Sequence, residues 1–376
     1  MNKIGILLFF LFPLIVLGQK FAVIGDYRGG DTNALKVSQL VRSWNPDFVV
    51  TTGDNYRPAQ GTIDFQVGQF YHEFIFPYVG SYGLGDTVNR FFPAIGNHDV
   101  EGTGLIDYLN YFSLPGNERY YDFVKGDIHF FMLNSDITEP DGNTDTSAQG
   151  IWLQNALASS NSKYKLVYLH HPPFSSGMHG SSLYSQWPFK QWGATAVFAG
   201  HDHDYERLFI DSLPYFVCAA GGAPLYSTFN NYPGTQHFYA ENFGALLVEA
   251  NSDSLTLCYY NINDSLIDIY VIKANSADIK PNSIISFDQN NILQNFPNPF
   301  SNITTIKYFL PNDSQVNLSV INITGEKIIS LVDAIQAKGF HELTWNATRL
   351  SNGVYTILLK AGKICCHIKT IKTERK

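Results

Sequence analysis

Asp26, Asp54, Asn97, His170, His201 and His203 carry oxygen or nitrogen atoms able to bind a metal, and each sits in a short cluster behind an apolar run. The clusters are Gly25-Asp26-Tyr27-Arg28-Gly29-Gly30, Gly53-Asp54-Asn55-Tyr56, Gly96-Asn97-His98-Asp99, His170-His171-Pro172 and Gly200-His201-Asp202-His203-Asp204. Carboxylate, amide and imidazole donors together suit Fe, Zn or Mn. Two such ions about 3.5–4 Å apart need a carboxylate between them. Asp54 is the natural bridge, with Asp26 and His203 on the first ion and Asn97, His170 and His201 on the second. In a His-x-His on extended chain both rings fall on one side, so neighbouring residues serve neighbouring ions. A Gly-Asp turn alone is ordinary loop chemistry; all five clusters in this order, each at a strand end, point to one metal centre. A glycine before a ligand is expected to allow a sharp turn off the strand.

The elements that must bring these residues together are legible as an alternation. Buried strands are expected at 21–24, 47–51, 91–95, 129–133, 166–169 and 196–199. Val37, Leu40, Val41 and Trp44 recur at helical spacing, with Asn33 as a nearby cap, and a second helix is expected from 149 to about 158. Strands alternating with helices imply an α/β layered domain, in which loops beyond the carboxyl ends of strands converge on a crevice.

The 376 residues exceed one small domain, and 45% apolar with 15% charged content is that of a globular protein. Residues 1–18, with Lys3, an apolar run and a terminal Gly18, read as a signal peptide too short to span a bilayer; with it removed, no transmembrane segment is expected. The domain division expected is 19–273 for the α/β unit, 274–291 for a linker and 292–376 for a small β-sandwich of alternating strands with glycines at their turns. Residues 19–291 hold 14 Lys and Arg against 28 Asp and Glu, whereas 292–376 hold 10 against 5. An acidic body argues against nucleic acid as a partner. Cys218 and Cys258 read as a disulfide or as two buried thiols, and the sequence leaves both open.

The order of the clusters over residues 20–272 resembles the calcineurin-like metallophosphoesterases, and among them the purple acid phosphatases. Tyr120-Tyr121-Asp122-Phe123 and Gly200-His201-Asp202-His203-Asp204-Tyr205-Glu206-Arg207 add to the likeness. The resemblance implies a double β-sheet sandwich flanked by helices and the ligand roles given above. It also implies that His98 faces the substrate, with His179 as a second such histidine, and Asp99 helps to orient the His98 loop. The chain departs from the purple enzymes where they carry a metal-bound tyrosine three residues after the bridging aspartate: Arg57 stands there, with Tyr56 one position early. A guanidinium has no lone pair for a metal, so Arg57 is expected to face the substrate phosphate, and the first ion to be Fe(II), Zn or Mn in a colourless protein. Asn295-Phe296-Pro297-Asn298-Pro299-Phe300, Gly325-Glu326-Lys327 and Leu350-Ser351-Asn352-Gly353-Val354-Tyr355 resemble the type A sorting domain of the type IX secretion system. That likeness implies handling by the type IX machinery and export through the periplasm of a Gram-negative bacterium to the medium or the cell surface.

These expectations converge on a secreted hydrolase of phosphate monoesters, its small-molecule substrate attacked by a metal-held water or hydroxide while His98 or His179 protonates the leaving group. A phosphodiesterase or nucleotidase with the same centre, decided by the loops at 57–85 and 139–147, and a surface binding protein on a phosphatase scaffold are the alternatives.

Overall fold

In the computed structural model residues 18–29, 32–274, 286–288, 293–310, 312–322, 326–362 and 364–373 are described. The signal-peptide reading therefore lies outside them except at Gly18, as does most of the segment read as a linker. The α/β unit contains β1 (Lys20–Ile24), β2 (Phe48–Thr51), β3 (Phe91–Phe92), β4 (Tyr121–Lys125), β5 (Ile128–Met132), β6 (Tyr164–Tyr168) and β7 (Ala196–Ala199). It continues with β8 (Tyr205–Ile210), β9 (Leu213–Cys218), β10 (Thr235–Tyr239), β11 (Gly244–Ala250), β12 (Ser254–Asn261) and β13 (Leu266–Lys273). A short β14 (Ser286–Asp288), inside the span read as a linker, pairs with β13. The strands form two seven-stranded sheets, ordered β14-β13-β12-β11-β1-β2-β3 and β10-β8-β9-β7-β6-β5-β4.

The sheets face each other because their strands carry two apolar faces. In β1, Phe21 and Val23 enter the space between the sheets, while Ala22 and Ile24 turn outward to the layer that includes α1 (Thr32–Ser43). Phe130 of β5 meets Phe21 edge-on at 5.2 Å across the interface. Phe131 and Leu133 turn the other way, toward α3 (Ala148–Ser159), numbered after α2 (Gly104–Tyr111). Strands covered on both faces need unbroken apolar runs, which is why these segments stand out in the sequence. Each such side chain stabilises the fold by about 1.5–3 kcal/mol. Between the sheets, Arg207 of β8 makes a two-pronged bond to Asp268 of β13 at 2.7 and 3.0 Å, and the Tyr205 hydroxyl donates to the same carboxylate.

The strand expected at 91–95 stops at Phe92, since Pro93 has no N–H for a ladder and the chain peels away toward the site. Cys218 and Cys258 are both buried free thiols, one between the sheets and the other on the outer side of the first sheet. Cys258 and Ile269 are buried together with Leu293, Phe300, Ile306 and Trp345 of the C-terminal segment. That segment is all β: β15 (Leu293–Phe296), β16 (Ile303–Leu310), β17 (Ser314–Ile321), β18 (Lys327–Gln336), β19 (Gly339–Asn346), β20 (Gly353–Ala361) and β21 (Ile364–Lys372), in sheets ordered β15-β16-β19 and β18-β17-β20-β21. Among the described residues no helix is long and apolar enough to cross a membrane.

Candidate metal centre

Strands β1, β2 and β3 run parallel in the first sheet, and β5, β6 and β7 run parallel in the second. Their carboxyl ends meet at one edge of the sandwich. Asp26, Asp54 and Asn97 follow the first set and His170, His201 and His203 the second, so all six candidate ligands arrive together. The loops approach so closely that a Cβ on Gly96 would lie 2.3 Å from the Asp54 nitrogen, and one on Gly200 would lie 2.7 Å from Asp26 Oδ2. Only Gly53, with φ of 97°, answers the expectation of a sharp left-handed turn; Gly96 and Gly200 are required by crowding. The left-handed backbone falls on the ligands themselves, with φ of 55° at Asp26, 52° at Asp54 and 73° at His201. Such strain in non-glycine residues concentrates at functional sites.

Four donors enclose one cage. His170 gives its Nδ1–H to the Thr52 carbonyl at 2.9 Å, and burial first, then the His171 imidazole, hold the ring well below its ordinary pKa. Its bare Nε2 therefore points at Asn97 Oδ1 (3.0 Å), His201 Nδ1 (3.3 Å) and Asp54 Oδ1 (3.4 Å). Metal–ligand bonds of about 2.1 Å at tetrahedral or octahedral angles separate neighbouring donors by roughly 3.0–3.4 Å. The three distances from His170 Nε2 are those of neighbouring donors around a divalent ion. His201, crowded by burial and by the neighbouring imidazoles, is likewise pushed far down and stays neutral.

The other set differs. Asp26 Oδ1 lies 3.3 Å from His203 Nε2, the pair expected for a first ion, and Asp26, Asp54 and His170 offer donor atoms within 4.8 Å of one another. Yet Arg28 Nη1 reaches 2.8 Å from Asp54 Oδ2 and 3.5 Å from both Asp26 Oδ1 and His203 Nε2. These donors do not fit a second ion while the guanidinium faces them. Arg28 lies within the first cluster of the sequence, and its two-residue offset from Asp26 is the signal that flags it.

Around the donors sit the residues expected to meet substrate. The His98 backbone donates to Asp54 Oδ1 at 2.9 Å, its Nδ1 meets Glu101 Oε1 at 2.6 Å, and its Nε2 lies 3.7 Å from Asp54 Oδ2. Arg57 spends its Nε on Glu101 Oε2 at 3.0 Å, which places it behind His98 in a relay that the sequence reading did not contain. Burial raises the Glu101 carboxyl, but the bonds from Arg57 and His98 outweigh it and hold the group below its usual pKa. Asp99 is fully buried and accepts N–H bonds from Gly96, Asn55 and Tyr56 at 2.8–3.2 Å, so it ties two ligand loops together. Burial and the Asp54 charge push its carboxyl up to about 8. The Tyr56 hydroxyl donates to Asp107 of α2 at 2.9 Å, away from the donors, with its pKa raised to about 12 by burial and that carboxylate. The His179 ring packs tilted against His201 at 4.4 Å between ring centroids and is held there by Asp202, which accepts its backbone N–H at 2.6 Å. The sequence reading assigned no role to Glu101, three residues after His98, to Asp202, between His201 and His203, or to Tyr226, stacked on His203 at 4.2 Å.

Two segments of the chain match known families. Residues 19–205 match the family model described as calcineurin-like phosphoesterase, and residues 294–373 the secretion system C-terminal sorting domain. Purple acid phosphatase 3 of Arabidopsis thaliana is 23% identical over 281 residues, 64% of this chain and 74% of the relative. Human tartrate-resistant acid phosphatase type 5 is 24% identical over 54% of this chain and 72% of its own length. The structure of purple acid phosphatase PPD1 from yellow lupin seeds superposes with a TM-score of 0.55 at 17% identity, covering 71% of this chain and 57% of that one. GAP50, the anchor in the inner membrane complex of Plasmodium, gives 0.53 at 17% identity over 69% of this chain and 89% of that one. At such identities the two structures speak for the fold alone. The sorting domain marks a secreted or cell-surface protein, and residues 19–205 form a calcineurin-like phosphoesterase domain related to the metal-dependent purple acid phosphatases.

Proposed function

We propose that the chain is a secreted phosphatase acting on small phosphate monoesters, its chemistry centred on Asp54, Asn97, His170 and His201. The observation that supports this most is the convergence of Asn97 Oδ1, His201 Nδ1 and Asp54 Oδ1 on the bare His170 Nε2 at 3.0–3.4 Å, beside His98. Bound there, a divalent ion supplies Lewis-acid polarisation and acidifies the attacking water. Of the two ions expected from the sequence, the one assigned to Asp26 and His203 meets the Arg28 guanidinium at its donors. His98 turns Nε2 toward the site because Glu101 takes Nδ1, and from Nε2 it gives a proton to the leaving alkoxide. Arg57 fixes Glu101, and Asp99 fixes the loops that present Asp54 and His98. His179, exposed at the mouth, is placed to receive the phosphate or its ester group. Export follows the type IX route through the Gram-negative periplasm, with residues 1–18 as signal and 292–376 as sorting unit, behind the catalytic unit 19–273 and the linker 274–291.

Initial rates on an aryl phosphate monoester and on the matching diester test the substrate class. The monoester is expected to turn over faster by at least roughly tenfold in kcat/KM. A preference for the diester would move the assignment to phosphodiesters, and turnover of neither would leave a binding protein on this scaffold.

A further inference from the structure

Among the donor atoms of the centre, three already face a cation that belongs to the chain. Arg28 is 9% exposed at its side chain, and Nη1 is the atom that meets Asp54 Oδ2, Asp26 Oδ1 and His203 Nε2. Each of those atoms is the one a metal ion would need. His203 commits Nδ1 to the Pro224 carbonyl at 2.6 Å, so Nε2 holds the ring's single lone pair. Asp26 Oδ2 accepts the His201 backbone N–H at 3.0 Å, which leaves Oδ1 as the free oxygen. A lone pair engaged by an N–H is not available to a metal. The guanidinium itself offers no lone pair, so it does not join as a ligand.

We propose that Arg28 stands in place of the first metal ion, so that the centre holds a single divalent ion in the cage of Asp54, Asn97, His170 and His201. Positive charge at Asp26, Asp54 and His203 is then permanent and built into the chain. A phosphoryl group entering the site meets one metal and one guanidinium, whose planar fork donates to phosphate oxygens by charge-assisted bonds. The inference deepens the phosphatase reading and rests on it for what the ion does, but the number of ions is measurable without any turnover.

The experiment uses the full secreted chain, stripped with a chelator, reloaded with excess Mn(II), freed of unbound ion and examined by elemental analysis and electron paramagnetic resonance. The native protein is expected to hold about one Mn(II) per chain and to give the six-line spectrum of an isolated ion, whereas Arg28→Gly should take up about two and show a coupled pair. Arg28→Gln, neutral and closer in size, serves if the glycine variant does not fold. Two ions or a coupled spectrum in the native chain would overturn the inference while leaving a metal phosphatase intact. One ion in native and variant alike would overturn it too, since Arg28 would not be what excludes the second. No bound ion in any of them would sink the metal centre itself.

Discussion

The two halves of the centre share Asp54 and part company at their neighbours. On one side His170, its ring fixed from behind by the Thr52 carbonyl, turns a bare Nε2 toward Asn97 Oδ1 and His201 Nδ1. On the other, Asp26 and His203 present equally suitable atoms, but a guanidinium faces them. Ligand types alone make the halves look alike. What separates them is a residue that is not a ligand, and the lesson is that a metal site is defined as much by the charge beside the donors as by the donors.

The largest effect expected, and the one that most sharpens the contrast, comes from changing the shared residue and then its nearest non-ligand. Asp54→Asn should lose bound metal and nearly all turnover, because the cage and the Arg28 pairing both depend on that carboxylate. His98→Ala should keep its metal and lose rate by roughly a hundredfold or more, as expected for a missing general acid. Metal analysis beside kcat decides the pair: loss of metal in His98→Ala would move that histidine into the ligand set, and full metal with near-normal rate in Asp54→Asn would dissolve the comparison.

A smaller effect tests how the relay behind His98 works. With Nε on Glu101, Arg57 acts through Glu101 on the His98 ring, so Arg57→Ala is expected to lower kcat by roughly tenfold or less with little change in KM or metal content. A rise in KM with kcat intact would instead return Arg57 to direct contact with the substrate phosphate, where the sequence reading placed it.

Much of this was legible before any coordinates, and the reason is physical. Strands buried on both faces demand apolar runs, so β1, β2, β5, β6 and β7 announce themselves, and the ligands follow directly at their ends. Residues that act by reaching across the fold give no such pattern. Asp202 holds His179 from another loop, and Tyr226 lies on His203 through a ring contact. Asp99, adjacent to His98 in the motif and expected to orient that loop, accepts from Gly96 of its own loop and also from Asn55 and Tyr56, and Tyr56 points into α2 because Asp107 waits there. The glycines were anticipated at the right positions for a partly different reason: at Gly96 and Gly200 the need is room for a neighbouring loop, and only at Gly53 is it a left-handed turn.

A divalent ion held by Asp54, Asn97, His170 and His201 is expected to drive phosphate ester hydrolysis. Turnover of an aryl phosphate by chelator-stripped protein, followed as Mn(II) or Zn(II) is titrated back, tests it most directly. Activity should be absent without metal and should rise in step with occupancy to a plateau at about one ion per chain. Full activity in the stripped protein, or none after the cage is filled, would contradict it.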